Sequence, residues 1–257
     1  MTRSGNRTSS ARWVAVAALL AACGGGERGP AVDDPGVPTA ELLVDRHVEA
    51  RGGAERLQAI ETLSMSGRAT TGPGREALVS RQVKPPRRIR TEFTFQGVTS
   101  VYACDGETCW YVDPMVGVFD AEPMPPSEAA WARQEADALS AIDWQAHGHE
   151  IELRGTETIE GRETYELQVT LSSGPSRTVY VDAETALVVR RVTPRIRGDR
   201  TLEVQTDFGD FREVDGVVFP HSIRSRARGS DEVLHIVVES IEINAPIDDS
   251  RFEMPGR

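Results

Sequence analysis

The chain has 257 residues, of which 29 are basic and 40 acidic, for a formal net charge of −11. A surface this acidic repels phosphate backbones, which argues against nucleic acid as a partner. With 39% apolar and 27% charged residues there is enough apolar surface for a packed core, and the chain is too polar for a multi-span membrane protein.

The first segment, MTRSGNRTSSAR, carries Arg3, Arg7 and Arg12 and no acidic residue. The apolar run that follows, Trp13 to Ala22, is about half of the roughly 20 residues that a membrane-spanning helix needs. A charged start and a short apolar core define an export signal, expected over residues 1–22. The run ends in Leu20-Ala21-Ala22-Cys23, which resembles the bacterial lipobox, in which small residues precede a cysteine that is acylated and becomes the first residue of the mature chain. That resemblance implies that Cys23 carries acyl chains and makes the membrane a partner through this anchor, because several chains hold a protein far more firmly than one. Gly24 stands where an aspartate would retain an enteric lipoprotein at the inner membrane, so the outer membrane, facing the periplasm, is the expected location. The glycines, prolines and acidic residues of segment 24–38 have no periodicity and read as a flexible tether behind Cys23, leaving 39–257 as the folded domain. Without the signal the balance becomes 26 basic against 40 acidic residues.

Thr39 is placed to cap a helix over AELLVDRHVEA, which Gly52 and Gly53 end, and AERLQAI reads as a second short helix. From Thr62 the period changes to two. TLSMSGRATT, REALVSRQV, RIRTEFTFQ, SVYAC and CWYVD are strand-like runs separated by glycine and proline turns, the pattern of an antiparallel meander. In the third run Ile89, Thr91, Phe93 and Phe95 share one face, and Arg88, Arg90, Glu92 and Thr94 share the other.

Cys104 and Cys109 flank Asp-Gly-Glu-Thr in this meander. Export places them in an oxidising compartment, where a cross-strand disulfide is the leading reading. Two free thiols are the alternative. The spacing fits neither a C-x-x-C redox pair nor a zinc set.

A mid-chain helix is expected from Ser127 through AAWARQEADALSAIDW, with Ala130, Trp131, Leu139 and Ile142 toward a sheet. Strand-like runs then resume to Asn244, with turns such as Glu160-Gly161 and Asp215-Gly216. Ten or eleven short strands and few helices argue for a mainly β, single-domain fold: one strongly bent sheet or barrel.

The order of RGGAERLQAI, ACDGETCWYVDP, the mid-chain helix, VYVDAETALVVRR, DFGDFREVDGVVFPHSI and IEINAPIDDSRFEMP resembles the LolA-like outer-membrane lipoprotein-sorting family over about residues 40 to 255. The resemblance implies an incomplete antiparallel β-barrel wrapped around helices, with an apolar cavity that receives acyl chains. A tethered chain cannot shuttle across the periplasm, so the lipidated, LolB-like receptors are the nearer analogue. The cavity candidates are Ile89, Phe93, Phe95 and Trp110, and the ligands are acyl chains of lipids or lipoproteins. The alternative is an envelope-stress sensor of the same fold that binds another envelope protein.

Catalytic signals are weak. HGHE, His147 to Glu150, sets two histidines at strand spacing, but without an identifiable third ligand it reads as a polar connection rather than a metal site. No Gly-x-Ser-x-Gly elbow or phosphate loop is present. The expectation is a binding protein that is not an enzyme and uses no cofactor or metal.

Overall fold

Period-two alternation leaves one face of most strands apolar; thirteen strands hydrogen-bond into one antiparallel sheet, and the helices pack against that face. The computed structural model describes residues 37–72, 74–136, 148–171, 176–197 and 200–256. The first meander comprises β1 (Leu63–Thr71), β2 (Glu76–Lys84), β3 (Arg88–Phe95), β4 (Val98–Asp105), β5 (Cys109–Asp113) and β6 (Val118–Pro123). The second comprises β7 (Glu150–Ile159), β8 (Arg162–Thr170), β9 (Arg177–Asp182), β10 (Val188–Arg197), β11 (Arg200–Val214), β12 (Val217–Ala227) and β13 (Leu234–Ile243). Within each meander every strand pairs with its sequence neighbour, and β1 pairs with β13 to fuse the two. The order runs β6-β5-β4-β3-β2-β1-β13-β12-β11-β10-β9-β8-β7, so among the described residues β6 and β7 are the outer strands and the barrel is incomplete, as expected. Thirteen strands exceed the expected ten or eleven. The overlooked β6 is mostly exposed and has no apolar face for alternation to mark.

The β1–β13 seam contains a bulge at Ser66/Gly67. A bulge adds local twist and bends the strand, which helps a wide sheet curl. A Cβ on Gly67 would lie 2.0 Å from the Val237 carbonyl oxygen, so this bend requires glycine.

Helix α1 (Ala40–Ala50) is capped by Thr39, whose hydroxyl oxygen accepts from the Leu42 N–H at 3.2 Å, and it buries Leu43, Val44 and Val48. It ends against the start of β12: the Val218 N–H donates to the Arg51 carbonyl at 2.9 Å, and Arg51 Nε donates to the Val218 carbonyl at 2.6 Å. Gly52, at φ +121°, permits this approach, because a Cβ there would meet the Gly216 oxygen at 2.2 Å. His47 donates from Nδ1 to the Ala186 carbonyl; burial and the nearby Arg51 charge lower its pKa to about 4, so the ring stays neutral at physiological pH. Helix α2 (Ala54–Gln58) follows and buries Leu57.

Helix α3 (Pro126–Ala136) lies on the same side of the sheet and contacts β3, β4 and β5 on one arm and β10 on the other. Two elements so distant in strand order reach one helix only because the sheet curls around it. Ala129 and Ala136 are buried, with Ala132 packed beside them. Ala130, expected to face the sheet, is exposed: one residue is about 100° of helix rotation, and the alanine-rich sequence does not distinguish adjacent phases. Leu139 and Ile142 lie outside the described residues.

The outer face of the first meander is covered by the C-terminal segment. Phe252 is fully buried there, and its carbonyl accepts from Trp110 Nε1 at 2.8 Å.

Because the seam carries the only long-range strand pairing among the described strands, Gly67→Ala is expected to destabilise the domain by about 1–3 kcal/mol or more in denaturant unfolding. Gly209→Ala, in a strand where a Cβ would meet nothing within 4 Å, is the matched control and should change the midpoint much less.

Candidate functional site

The residues that face the helices fall into two zones along the strands. At the end where β1, β3 and β12 begin, Leu63, Val83, Ile89, Cys104, Cys109, Val217 and Phe219 form a closed core with Val44, Val48, Leu57 and Ile60 of the helical segment. Toward the opposite, distal end the same face continues through Phe93, Phe95, Val204, Phe208, Ile223, Leu234 and Ile236, all half-buried. The described helices cover the first zone more completely than the second. At the distal rim Val98 begins β4 after the β3–β4 turn, and Met115 and Val116 between β5 and β6 and Phe119 in β6 are exposed.

Across this face runs a charged band centred on α3. Glu135 Oε1 accepts from Arg191 Nη2 at 2.6 Å, and its Oε2 lies 3.6 Å from Arg81 Nη1. Arg81 and Arg191 stand on β2 and β10, so one carboxylate links the two arms of the curl. Burial pushes the Glu135 carboxyl up, but the charges of Arg191, Arg81 and Arg177 and the Arg191 hydrogen bond outweigh it and hold the group below the usual carboxylate range. About two turns earlier, Glu128 accepts from Arg195, whose guanidinium lies 5.0 Å from the centre of the Trp131 ring. Arg191 is similarly placed 5.8 Å from the Phe208 ring centre. Nearby, Asp113 accepts from Ser100 Oγ at 2.7 Å and from the Tyr102 hydroxyl; burial first, then that hydrogen bond and the carboxylate charge, raise the Tyr102 pKa.

The sequence-derived candidates are distributed as follows. Cys104 and Cys109 are direct cross-strand partners joined in a disulfide, with Asp105-Gly106-Glu107-Thr108 as the loop; Asp105 Oδ1 accepts from the Glu107 and Thr108 N–H groups. Phe93 and Phe95 lie on the concave face and are half-buried. Ile89 shares that face but is 4% exposed within the closed core, so it does not line the open zone. Trp110 is corrected to the opposite face. It pairs with Ala103, and Ala103 pairs with Arg90, whereas Ile89 pairs with Cys104 and Cys104 with Cys109; a one-residue step in a strand reverses the side. There Trp110 lies under the Arg90 guanidinium and bonds to Phe252. Cys23 and His147 lie outside the described residues, and among the described residues no cluster of three possible metal ligands occurs. A surface cleft of about 450 Å³, lined by residues such as Arg87, Asp105 and Glu253, lies apart from the half-buried apolar zone and has a charged wall.

Sequence reasoning missed the charged band. The available signal was phase: Arg81 alternates with Val79 and Val83, Arg177 with Val179 and Val181, so these arginines occupy positions that alternation assigns to the inside. Their carboxylate partners on α3 are distant in sequence and carry no such mark.

Glu135 gives a pH dependence of defined sign. Its folded-state pKa is depressed, so the stability it contributes is present above the ordinary glutamate range, near 4.3, and is lost as pH falls through the folded value. Glu135→Gln leaves the half-buried Arg191 and Arg81 without their carboxylate and is expected to cost about 1–3 kcal/mol at pH 7. Urea unfolding at pH 7 and in acid should show the gap between variant and wild type narrowing as pH falls.

No protein-family model and no curated protein matches the chain. Solved structures do. A LolA superfamily protein from Nitrosomonas europaea superposes with a TM-score of 0.56 at 16% identity, covering 84% of this chain and 98% of that one. A DUF1329 family protein from Desulfovibrio piger gives 0.55 at 13% identity, covering 83% and 97%. A putative outer membrane lipoprotein-sorting protein domain from Vibrio parahaemolyticus gives 0.54 at 8% identity, covering 81% and 97%. At such identities the likeness is one of backbone architecture, and it agrees with the open, helix-filled sheet described above: the chain has a LolA-like fold.

Proposed function

We propose that this chain is a lipid-anchored envelope protein whose concave face holds acyl chains of lipids or lipoproteins, for lipoprotein sorting or lipid trafficking. The observation that carries the reading is the division of that face: a closed core near α1 and α2, and half-buried aromatic and aliphatic residues, Phe93, Phe95, Phe208, Ile223 and Ile236, beyond it. Apolar surface left in this state gains by taking up an apolar ligand, at about 0.8 kcal/mol per buried CH2 group. A dozen methylenes give on the order of 10 kcal/mol before the costs of association. Nothing in such a function requires a catalytic group, which fits a carrier or receptor rather than an enzyme. Attachment through Cys23 would keep the domain within reach of the membrane from which or to which chains move.

The reading separates from a solid-core protein by experiment. Phe93→Ala in a packed core would cost about 3–5 kcal/mol. At a half-buried cavity wall it should cost clearly less and weaken binding of a fluorescent fatty-acyl probe instead. Thermal unfolding and probe titration of wild type and variant measure both; severe destabilisation together with no probe binding by the wild type would refute acyl binding. For the anchor, Cys23→Ser should move the protein from membrane to soluble fractions or leave an unprocessed precursor. Normal processing and unchanged membrane fractionation would reject lipidation at that residue.

A further inference from the structure

The acyl-binding reading explains an apolar concavity but not the guanidinium groups placed in it. In a chain of net charge −11, Arg81, Arg177, Arg191 and Arg195 all belong to the inward phase of their strands. The described carboxylates in the same band are Asp113, Glu128 and Glu135, and Asp113 is occupied by Ser100, Tyr102 and the Met115 N–H. Among the described residues this concave band therefore carries more positive than negative charge, although the protein as a whole is acidic.

Two of the arginines are also incompletely bonded. Arg191 gives Nη2 to Glu135 and Arg195 gives Nη2 to Glu128, yet the Nε atoms of both are buried and find no acceptor among the described residues. Closed over by protein, these Nε atoms are out of a ligand's reach, and they show that Glu128 and Glu135 satisfy each guanidinium only in part. A guanidinium carries five N–H donors whose planar arrangement suits the oxygens of a carboxylate or phosphate, and a single carboxylate contact does not exhaust them. Arg195 is the more accessible, with its side chain 36% exposed against 14% for Arg191, and its guanidinium carbon lies 5.0 Å from the centre of the Trp131 ring. Both stand on β10, along one wall of the concavity, with the half-buried apolar zone continuing over β11 and β12.

Resting on the acyl-binding reading and narrowing it, we propose that the ligand is an anionic amphiphile, whose carboxylate or phosphate group seats on Arg195 with Arg191 behind it while its chain occupies the apolar zone. The arginines are thus headgroup determinants: apolar surface sets affinity for the chain, and the guanidiniums select against neutral lipids.

The test is titration of the folded domain with three single-chain ligands that share a palmitoyl chain: palmitate, a palmitoyl lysophosphatidylglycerol and neutral monopalmitoylglycerol. The proposal expects one or both anionic ligands to bind about tenfold or more tightly than the neutral one, the scale of a charge-assisted hydrogen bond. Preference for palmitate identifies a free carboxylate, and preference for the lysophospholipid identifies a phosphodiester. Arg195→Gln should erase most of that preference with little effect on monopalmitoylglycerol, and Arg195→Lys should retain part of it. Glu128→Gln removes the competing carboxylate and should strengthen anionic binding, a change of opposite sign that a folding defect does not produce. Equal binding of all three ligands by the wild type would overturn the headgroup proposal and leave acyl binding intact. Binding of none would overturn both.

Discussion

The antiparallel pairing of β1 with β13 is the constraint on which the rest of the structure depends. All other neighbouring strands in the sheet are consecutive in sequence and can form as local hairpins, but this pair joins residues separated by most of the domain. Such a contact carries a large loop-closure entropy, so it forms with support from elsewhere. Part of that support comes from the helical segment: Asn244, just past β13, accepts from Glu61 N–H and donates to the Ala59 carbonyl, while Thr62 at the entry to β1 donates to the Ala245 carbonyl. The same short stretch that ends α2 thereby sets the register of both seam strands.

Once the seam exists, curvature decides what the concave face becomes. The seam bulge at Gly67 and those on β7 and β10 bend the sheet, and α3 occupies the bend with contacts to both arms. Alanines give α3 a thin face against β3 to β5, whereas ion pairs from Glu128 and Glu135 face β10 and β2. Ion pairs of this depth lose much of their attraction to desolvation and add less net stability than apolar packing of equal volume. Their value here is positional. They fix the helix within the curl while leaving the neighbouring aromatic and aliphatic wall only partly filled.

The outer face is treated differently. Trp110 and Phe252 build a satellite core there, and Lys84, Arg88, Arg90 and Arg251 bind the C-terminal segment down through Asp249, Glu92 and the Arg251 carbonyl. Exposed pairs of this type contribute little singly. The buried Trp110–Phe252 contact does most to hold the segment, and it explains why an aromatic residue on a sheet with one open face need not belong to the ligand side.

Alternation, turn residues and the Thr39 cap were legible in the sequence because they are local: period two requires a strand with two unlike faces, and Gly52-Gly53 ends a helix wherever it occurs. They determined the mainly β class, the antiparallel meanders and the first helix, and they marked Cys104 and Cys109 as candidate cross-strand partners. Strand β6 escaped because both its faces are exposed. Trp110 was assigned to the wrong side because its face depends on the register across the Cys104–Cys109 hairpin, where one residue reverses every side chain. Whether Ile89 lies in closed core and Phe93 in an open wall, four residues along one strand, is absent from the pattern altogether, since both occupy the same phase. Tertiary structure alone decided that difference, through where α1 and α2 end, and it alone brought Arg81 and Arg191 to one carboxylate on α3. Burial and ion pairing are properties of surfaces that meet in space, and local periodicity records only which surface of a strand is inward.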